Sequence, residues 1–278
     1  MVFKAQYLSD AWGFSNAKYD TSMFIFHNSH TLITFFIYVD DIIVTGNSSA
    51  IIQHFIICLN IHFALKDLGD LSFFFGIQVA RSSNHLHLFQ SKYIHSLLER
   101  AQLNDCKPIH SPKAVGASLS LTDGQSLDNP SEYRSLVGAL QYCTLTRPNI
   151  SFSVNKLCQF MHAPTTSHLQ AAKRLIRHLK GTNNHGILLT KSPVLALTYY
   201  TDADWASCQN DRRSTNGFCV FLGSILISWS FSKQKVVSRS SAESEYCGLS
   251  NVAAEVLWIQ SVLTEIDVNR ISTPSTAL

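Results

Sequence analysis

Two aspartates, Asp40 and Asp41, stand side by side inside the most apolar stretch of this 278-residue chain, with "FFIY" before them and "IIVT" directly after. Burying unpaired carboxylates is costly, so a sequence keeps such a pair only where water reaches it or cations neutralise it. A tight hairpin turn would set both carboxylates on one rim. That arrangement suits magnesium, which takes hard oxygen ligands from one or two carboxylates together with substrate phosphates. Two such ions about 3.5–4 Å apart can clamp the attacking and leaving oxygens of a phosphoryl transfer. An ordinary hairpin with a solvated Asp-Asp turn accounts for the same spacing.

A second acidic group lies far along the chain. "YYTDADWA" reads as a strand on which Asp202 and Asp204 alternate onto one face. "SSAESEYCGLSNVAAEVLWIQSVL" follows as an amphipathic helix with Leu249, Val252, Ala253, Val256 and Leu263 in one stripe. At helical spacing Glu245 falls about 40° from Leu249, inside the stripe, and Glu243 about 120° away. A carboxylate on a packed face needs a partner, and a metal shared with a strand aspartate would be one. A side chain reaching out of the face near the helix N-terminus, favoured there by the macrodipole, is the other reading.

The elements that must carry these groups alternate in kind. Strands are predicted over 22–27, 31–38 and 42–45, then a helix over 50–63, apolar nearly all round and so expected to be largely buried. A second hairpin (71–80 with 85–90) and a helix over 92–102 follow. The segment 104–130, polar and rich in Pro and Gly, is the best linker. Helices are predicted over 131–146, 150–161 and 167–180, then strands over 186–190, 195–204, 215–222, 225–231 and 235–239, and a final helix over 241–265. The tail carries little pattern. This order implies α+β modules, not one wound α/β sheet.

Composition sets the limits. With 46% hydrophobic and 15% charged residues the chain is not disordered. A net charge of +3 does not by itself argue for nucleic acid. Seven scattered cysteines without a C-x-x-C pair read as reduced thiols, and none of them pairs at finger spacing to join the twelve histidines in a structural zinc site. There is no secretory signal and no apolar run near the ~20 residues of a membrane span. An intracellular, cytoplasmic globular protein that avoids membranes is expected. No G-x-x-x-x-G-K-[ST], G-x-S-x-G or H-E-x-x-H string occurs. On the helix over 167–180, Lys173, Arg174, Arg177 and Lys180 gather on one side. They are either a solvated face or a track for a nucleic-acid backbone. Arg212 and Arg213 could grip phosphate or cap a hairpin, and Lys233 and Lys235 admit both readings.

"YVDD" at 38–41 resembles the catalytic hairpin of reverse transcriptases, and "FIYVDDIIVTGNS" is similar to the copia-type LTR retrotransposon branch. "GFSNAKYDTSMF", "ALKDLGDLSFFFGIQV", "FQSKYIHSLL", "RSLVGALQYCTLTRPNI", "HLQAAKRLIRHLKGT" and "ISWSFSKQKVVSRSSAESEY" extend the resemblance over roughly 7–265 in family order. It implies a palm remnant (1–66), a thumb-like hairpin and helix (67–103), the linker (104–130), a helical connection (131–185) and a truncated RNase H-like mixed sheet with a long helix (186–278). It also implies Mg2+ or Mn2+ at Asp40 and Asp41 and again at Asp202 and Glu245, with Asp204 and Glu243 as alternatives. RNA–DNA hybrid or primer–template is the implied partner. The family pattern calls for a further aspartate before the "GFS" stretch and a third RNase H carboxylate on a "CDN"-like strand. Neither occurs in this sequence. The expectation is therefore a retrotransposon polyprotein fragment inactive alone, with a non-catalytic nucleic-acid-binding remnant or an inert relic as alternatives.

Overall fold

The computed structural model of the chain describes residues 12–39, 41–63, 65–114, 119–192 and 194–268, with the backbone of 272–276. The fold is α+β and divides into two units, residues up to Leu71 with 253–271, and 72–252 with 272–278.

The first unit is built on an antiparallel sheet of β1 (Ser15–Asn16), β2 (Met23–His27), β3 (Leu32–Tyr38) and β4 (Asp41–Gly46), in that order. Period-two alternation turns Ile33 and Phe35 to one face, where Phe14 and Phe24 join them. Phe24 and Phe35 stack with centroids 4.7 Å apart. Helix α1 (Ser49–His62) closes this face with Phe55 and Leu59, one turn apart. The helix is not buried all round as its composition suggested: Ile57 and Ile61 are 57% and 74% exposed. One sheet face covers one stripe of a helix, so the remaining apolar residues of α1 meet solvent. The other sheet face packs Ala17, Met23 and Ile25 against Val262 and Ile266.

The second unit holds two further sheets and a helical core. Its first sheet orders β5 (Phe73–Phe74), β6 (Ile77–Arg81), β7 (His85–Phe89) and β8 (Gly186–Thr190). The pairing of β8 differs from the sequence reading, which grouped residues 186–190 with the later strands. β8 runs antiparallel to β7, with Phe89 opposite Gly186 and His85 opposite Thr190. Helices α2 (Ser91–Arg100), α3 (Pro130–Cys143), α4 (Ser151–Cys158) and α5 (Thr166–Gly181) enclose Ile94, Leu97, Tyr133, Leu140, Leu175 and Leu179, none of them exposed. Asn129 caps α3 by accepting the Ser131 N–H at 3.1 Å, with Pro130 preorganised at the first helical position. The second sheet orders β11 (Ile225–Lys233), β10 (Thr215–Leu222), β9 (Ala196–Asp204) and β12 (Ser272–Thr276). β12 runs parallel to β9 and gives an element to the tail that carried no pattern. Helix α6 (Ser241–Glu265) has the span predicted for it.

Residues 235–239 are not a strand. Gln234 donates to the Ser244 carbonyl at 2.9 Å and accepts from Ser238 at 2.9 Å, which folds "KVVS" into the turn that opens α6 and leaves Val236 and Val237 exposed. Among the described residues no helix is long and apolar enough to cross a membrane.

The described parts of segment 104–130 form a strap, not a free linker. Lys180 Nζ donates to the carbonyls of Asn104 and of Cys106, the latter at 2.8 Å. Arg177 Nε donates to the Lys107 carbonyl at 2.9 Å, and the Ile109 N–H returns a bond to the Arg177 carbonyl at 3.3 Å. His178 Nδ1 donates to the Ile109 carbonyl at 3.2 Å, and Arg174 Nη2 to Ser111 Oγ at 3.0 Å. Further along, His168 Nδ1 accepts the Thr165 N–H at 3.0 Å, so its Nε2 carries the proton that meets the Ser120 carbonyl at 2.9 Å. Polar composition forecasts the lack of regular structure here but not the attachment.

This strap should be measurable by hydrogen exchange. Replacing Arg177 and Lys180 together by Ala is expected to speed exchange of the Ile109 amide about tenfold or more while core amides of α3 keep their protection. Acid should act in the same direction. Burial holds both His168 and His178 below the ordinary 6.5. The unfolded chain then binds more protons than the folded one as pH falls below that value. The stabilisation is complete above pH 6.5 and declines below it, because a proton on His168 Nδ1 removes the acceptor of the Thr165 N–H.

Candidate functional site

The first acidic pair belongs to the β3–β4 turn. Tyr38 and Asp41 form the last rung of the ladder, so Val39 lies in the tight loop between the two strands. Two-residue hairpin loops favour positive φ, and Val39 has φ 52°. A β-branched residue resists that conformation, at roughly 1–3 kcal/mol, and such strain collects where position matters more than stability. Asp40 lies outside the described residues. Asp41 is exposed at the first position of β4.

The second acidic group forms where α6 meets β9. A Cβ added to Gly248 would lie 3.1 Å from Thr201 Oγ1 and 3.9 Å from the Ala203 Cβ, so the helix approaches this face of the strand closely. Alternation then sets Asp202 and Asp204 on the opposite pleat, both exposed. Glu245, half-buried one turn earlier on α6, accepts the Ala203 N–H at 3.4 Å. Among the described residues β12 pairs with β9 along Ala196 to Tyr199, and the Ala203 amide lies beyond that stretch. Glu245 therefore meets the peptide that follows Asp202. Glu243 has a different job: its Oε2 accepts the Arg239 N–H at 2.7 Å and its own N–H meets Ser240 Oγ at 3.1 Å, which caps the start of α6.

Carboxylate oxygens are the right kind of donor for magnesium or manganese. Among the described residues, however, no three His, Cys, Asp or Glu side chains gather closely enough to hold a metal. The donors present do not make a closed metal centre.

The basic residues are largely engaged within the chain. Arg174, Arg177 and Lys180 hold the strap, and Lys173 pairs with Glu132 at 3.1 Å. The helix face read as either solvated or a nucleic-acid track thus meets groups of the chain itself: backbone carbonyls for Arg177 and Lys180, side chains for Lys173 and Arg174. Arg213 lies 3.7 Å from Asp211, and Lys233 donates to Asp211 at 2.7 Å and to Cys208 Sγ at 3.2 Å. Burial disfavours a charged Asp211, yet hydrogen bonds from Lys233, Cys208 and the Arg213 N–H outweigh it and hold the carboxyl at about 2. Arg213 therefore serves the hairpin entrance. Arg212 stands next to it at φ 57°, exposed. Sequence reasoning missed this Asp211 cluster and the buried Arg147.

Comparison with known proteins now bears on these sites. The family described as "Reverse transcriptase (RNA-dependent DNA polymerase)" matches residues 5–115. The retrovirus-related Pol polyprotein from transposon RE1 of Arabidopsis thaliana is 46% identical over 256 residues, 92% of this chain and 18% of that one. An uncharacterized mitochondrial protein of the same plant is 46% identical over 222 residues, 80% of this chain and 92% of that one. The chain belongs to the copia-type retrotransposon reverse transcriptase family. The Pol polyprotein from transposon TNT 1-94 of Nicotiana tabacum is 31% identical over 252 residues, 87% of this chain and 19% of that one. The chain spans only 18% of the length of the RE1 and RE2 polyproteins that it matches. No solved structure matches it.

Proposed function

We propose that this chain is a part of a copia-type Pol polyprotein that joins the C-terminal portion of the reverse transcriptase to the N-terminal portion of RNase H. In this reading residues up to about 66 are palm, 67–103 thumb-like and 131–185 a connection, and the β9–β10–β11 sheet with α6 begins the RNase H part. Asp40 and Asp41 supply carboxylates to the polymerase centre, and Asp202 and Glu245 to the hybrid-cleaving centre. The metals of those centres would neutralise phosphate charge when bound. The nucleic-acid substrates are primer–template and RNA–DNA hybrid.

The observation that carries the reading is the recurrence of one chemistry at two places. The sequence sets Asp40 and Asp41 directly after β3, and Glu245 meets the Ala203 amide next to Asp202, which faces the opposite pleat. Among the described residues neither place gathers three His, Cys, Asp or Glu side chains. The chain alone is therefore expected to turn over neither substrate, because removing a carboxylate from a two-metal centre lowers metal affinity and electrostatic stabilisation together. Primer extension and hybrid cleavage with Mg2+ or Mn2+ test this. The expected result is no product above background in either assay, and robust turnover in either overturns it.

A further inference from the structure

Within the second unit a cavity of about 700 Å3 opens between the strap, helices α4 and α5, and the ends of β9 and β10. That volume is inside the roughly 300–1,000 Å3 range of small-ligand sites. Its floor is apolar, made by Leu103, Ile109, Leu119, Leu157 and Leu175. Its wall carries Lys113, Lys156, Arg174 and Arg177, and Lys173 already matched by Glu132. Asp204 is the one carboxylate among the lining residues. Lys113 Nζ rides 5.8 Å above the Phe152 ring, so one of these cations rests on an aromatic face.

Arg174 stands in this wall with its Nη2 donating to Ser111 Oγ at 3.0 Å. No ion pair to it is found among the described residues, and a guanidinium pairs best with a planar carboxylate. We propose that this cavity binds a small amphiphilic carboxylate, with an alkyl body on the Leu103–Leu175 floor and its headgroup on the Arg174 side. The strap covers the helix face over which a nucleic-acid backbone would have to run, and Asp204 at the rim opposes a polyanion. A single charge on an apolar body meets neither obstacle. The inference stands apart from the catalytic reading and does not depend on it.

The test is a fluorescence titration of the full chain with dansylundecanoate, competed by dodecanoate. The expected result is saturable binding at one site, displaced by dodecanoate, and displaced about tenfold less effectively by dodecanol, which lacks the charge. Arg174→Gln keeps most of the side-chain stem and is expected to weaken binding about tenfold. Ala171→Trp, which places an indole in the cavity, is expected to abolish it, with the fold of both variants checked by circular dichroism and thermal melting. Absence of saturable binding by the folded chain at millimolar dodecanoate overturns the proposal. So does equal displacement by dodecanol, or binding that both folded variants retain. Displacement of the probe by an RNA–DNA hybrid but not by dodecanoate also overturns it, and would assign the cavity to nucleic acid.

Discussion

Arg147→Ala is expected to destabilise the second unit by about 4 kcal/mol, through a cavity and several buried acceptors left without donors. Arg147 is 1% exposed and is the largest of the fully buried side chains. Burial pushes its guanidinium below the ordinary value. No ion pair to it is found among the described residues; its partners are neutral. Nη1 donates to the Thr182 carbonyl at 2.8 Å, Nη2 to Thr182 Oγ1 at 2.7 Å, and Nε to Asn149 Oδ1 at 3.1 Å. These bonds tie the turn after α3 to the C-terminal end of α5. Arg147→Met tests the argument further. It keeps most of the volume and removes the desolvated charge, so it is expected to cost about half as much as Ala. Urea denaturation of both variants, with Thr182→Val in a double-mutant cycle, measures the coupling. Equal losses for Met and Ala would mean that the donors, not the packing, carry the effect.

Gly186→Ala should be nearly as damaging, at about 3 kcal/mol or more, by overpacking backbone against backbone. A Cβ at Gly186 would fall on the Leu88 carbonyl oxygen, with the Leu88 carbonyl carbon 2.9 Å away. That oxygen belongs to β7 and cannot swing aside as a side chain would. β8 would have to leave β7 and take the Phe89–Gly186 end of the ladder with it. The amides of β7 and β8 are expected to lose exchange protection together, while those of β10 and β11 keep theirs. Loss of protection in β10 and β11 to the same degree would show that the two sheets unfold as one.

The same two residues illustrate what a sequence discloses. Arg147 went unread in the sequence, because its partners are a carbonyl, a hydroxyl and an amide oxygen that no spacing announces. Gly186 reads as a helix-ending residue. That β8 pairs with β7 follows from a close approach that its own alternation does not encode, since period two fixes a strand's faces and not its neighbour. Long patterned elements were legible: α6 spans Ser241–Glu265, as its sequence predicts. "KVVSR" read as a strand on β-branched composition, and the Gln234–Ser238–Ser244 bonds overrode it. The strap was hidden for a related reason, since its partners are mostly backbone carbonyls. At the candidate sites the acidic doublet was legible because charge in an apolar stretch demands a reason. The contact of Glu245 with the Ala203 amide was not, because helical spacing gives a carboxylate's face and not the strand amide it meets.

Manganese-induced line broadening, read amide by amide on the isotopically labelled chain, tests the central claim most directly. Partial carboxylate sets should bind the ion weakly and in two places: around the Asp41 turn, and around Asp202, Ala203 and Glu245. Excess Mg2+ should reverse both effects, and Asp41→Asn and Asp202→Asn should each remove one and spare the other. Broadening that misses both places, or that centres on the Asp211 loop instead, would contradict the account.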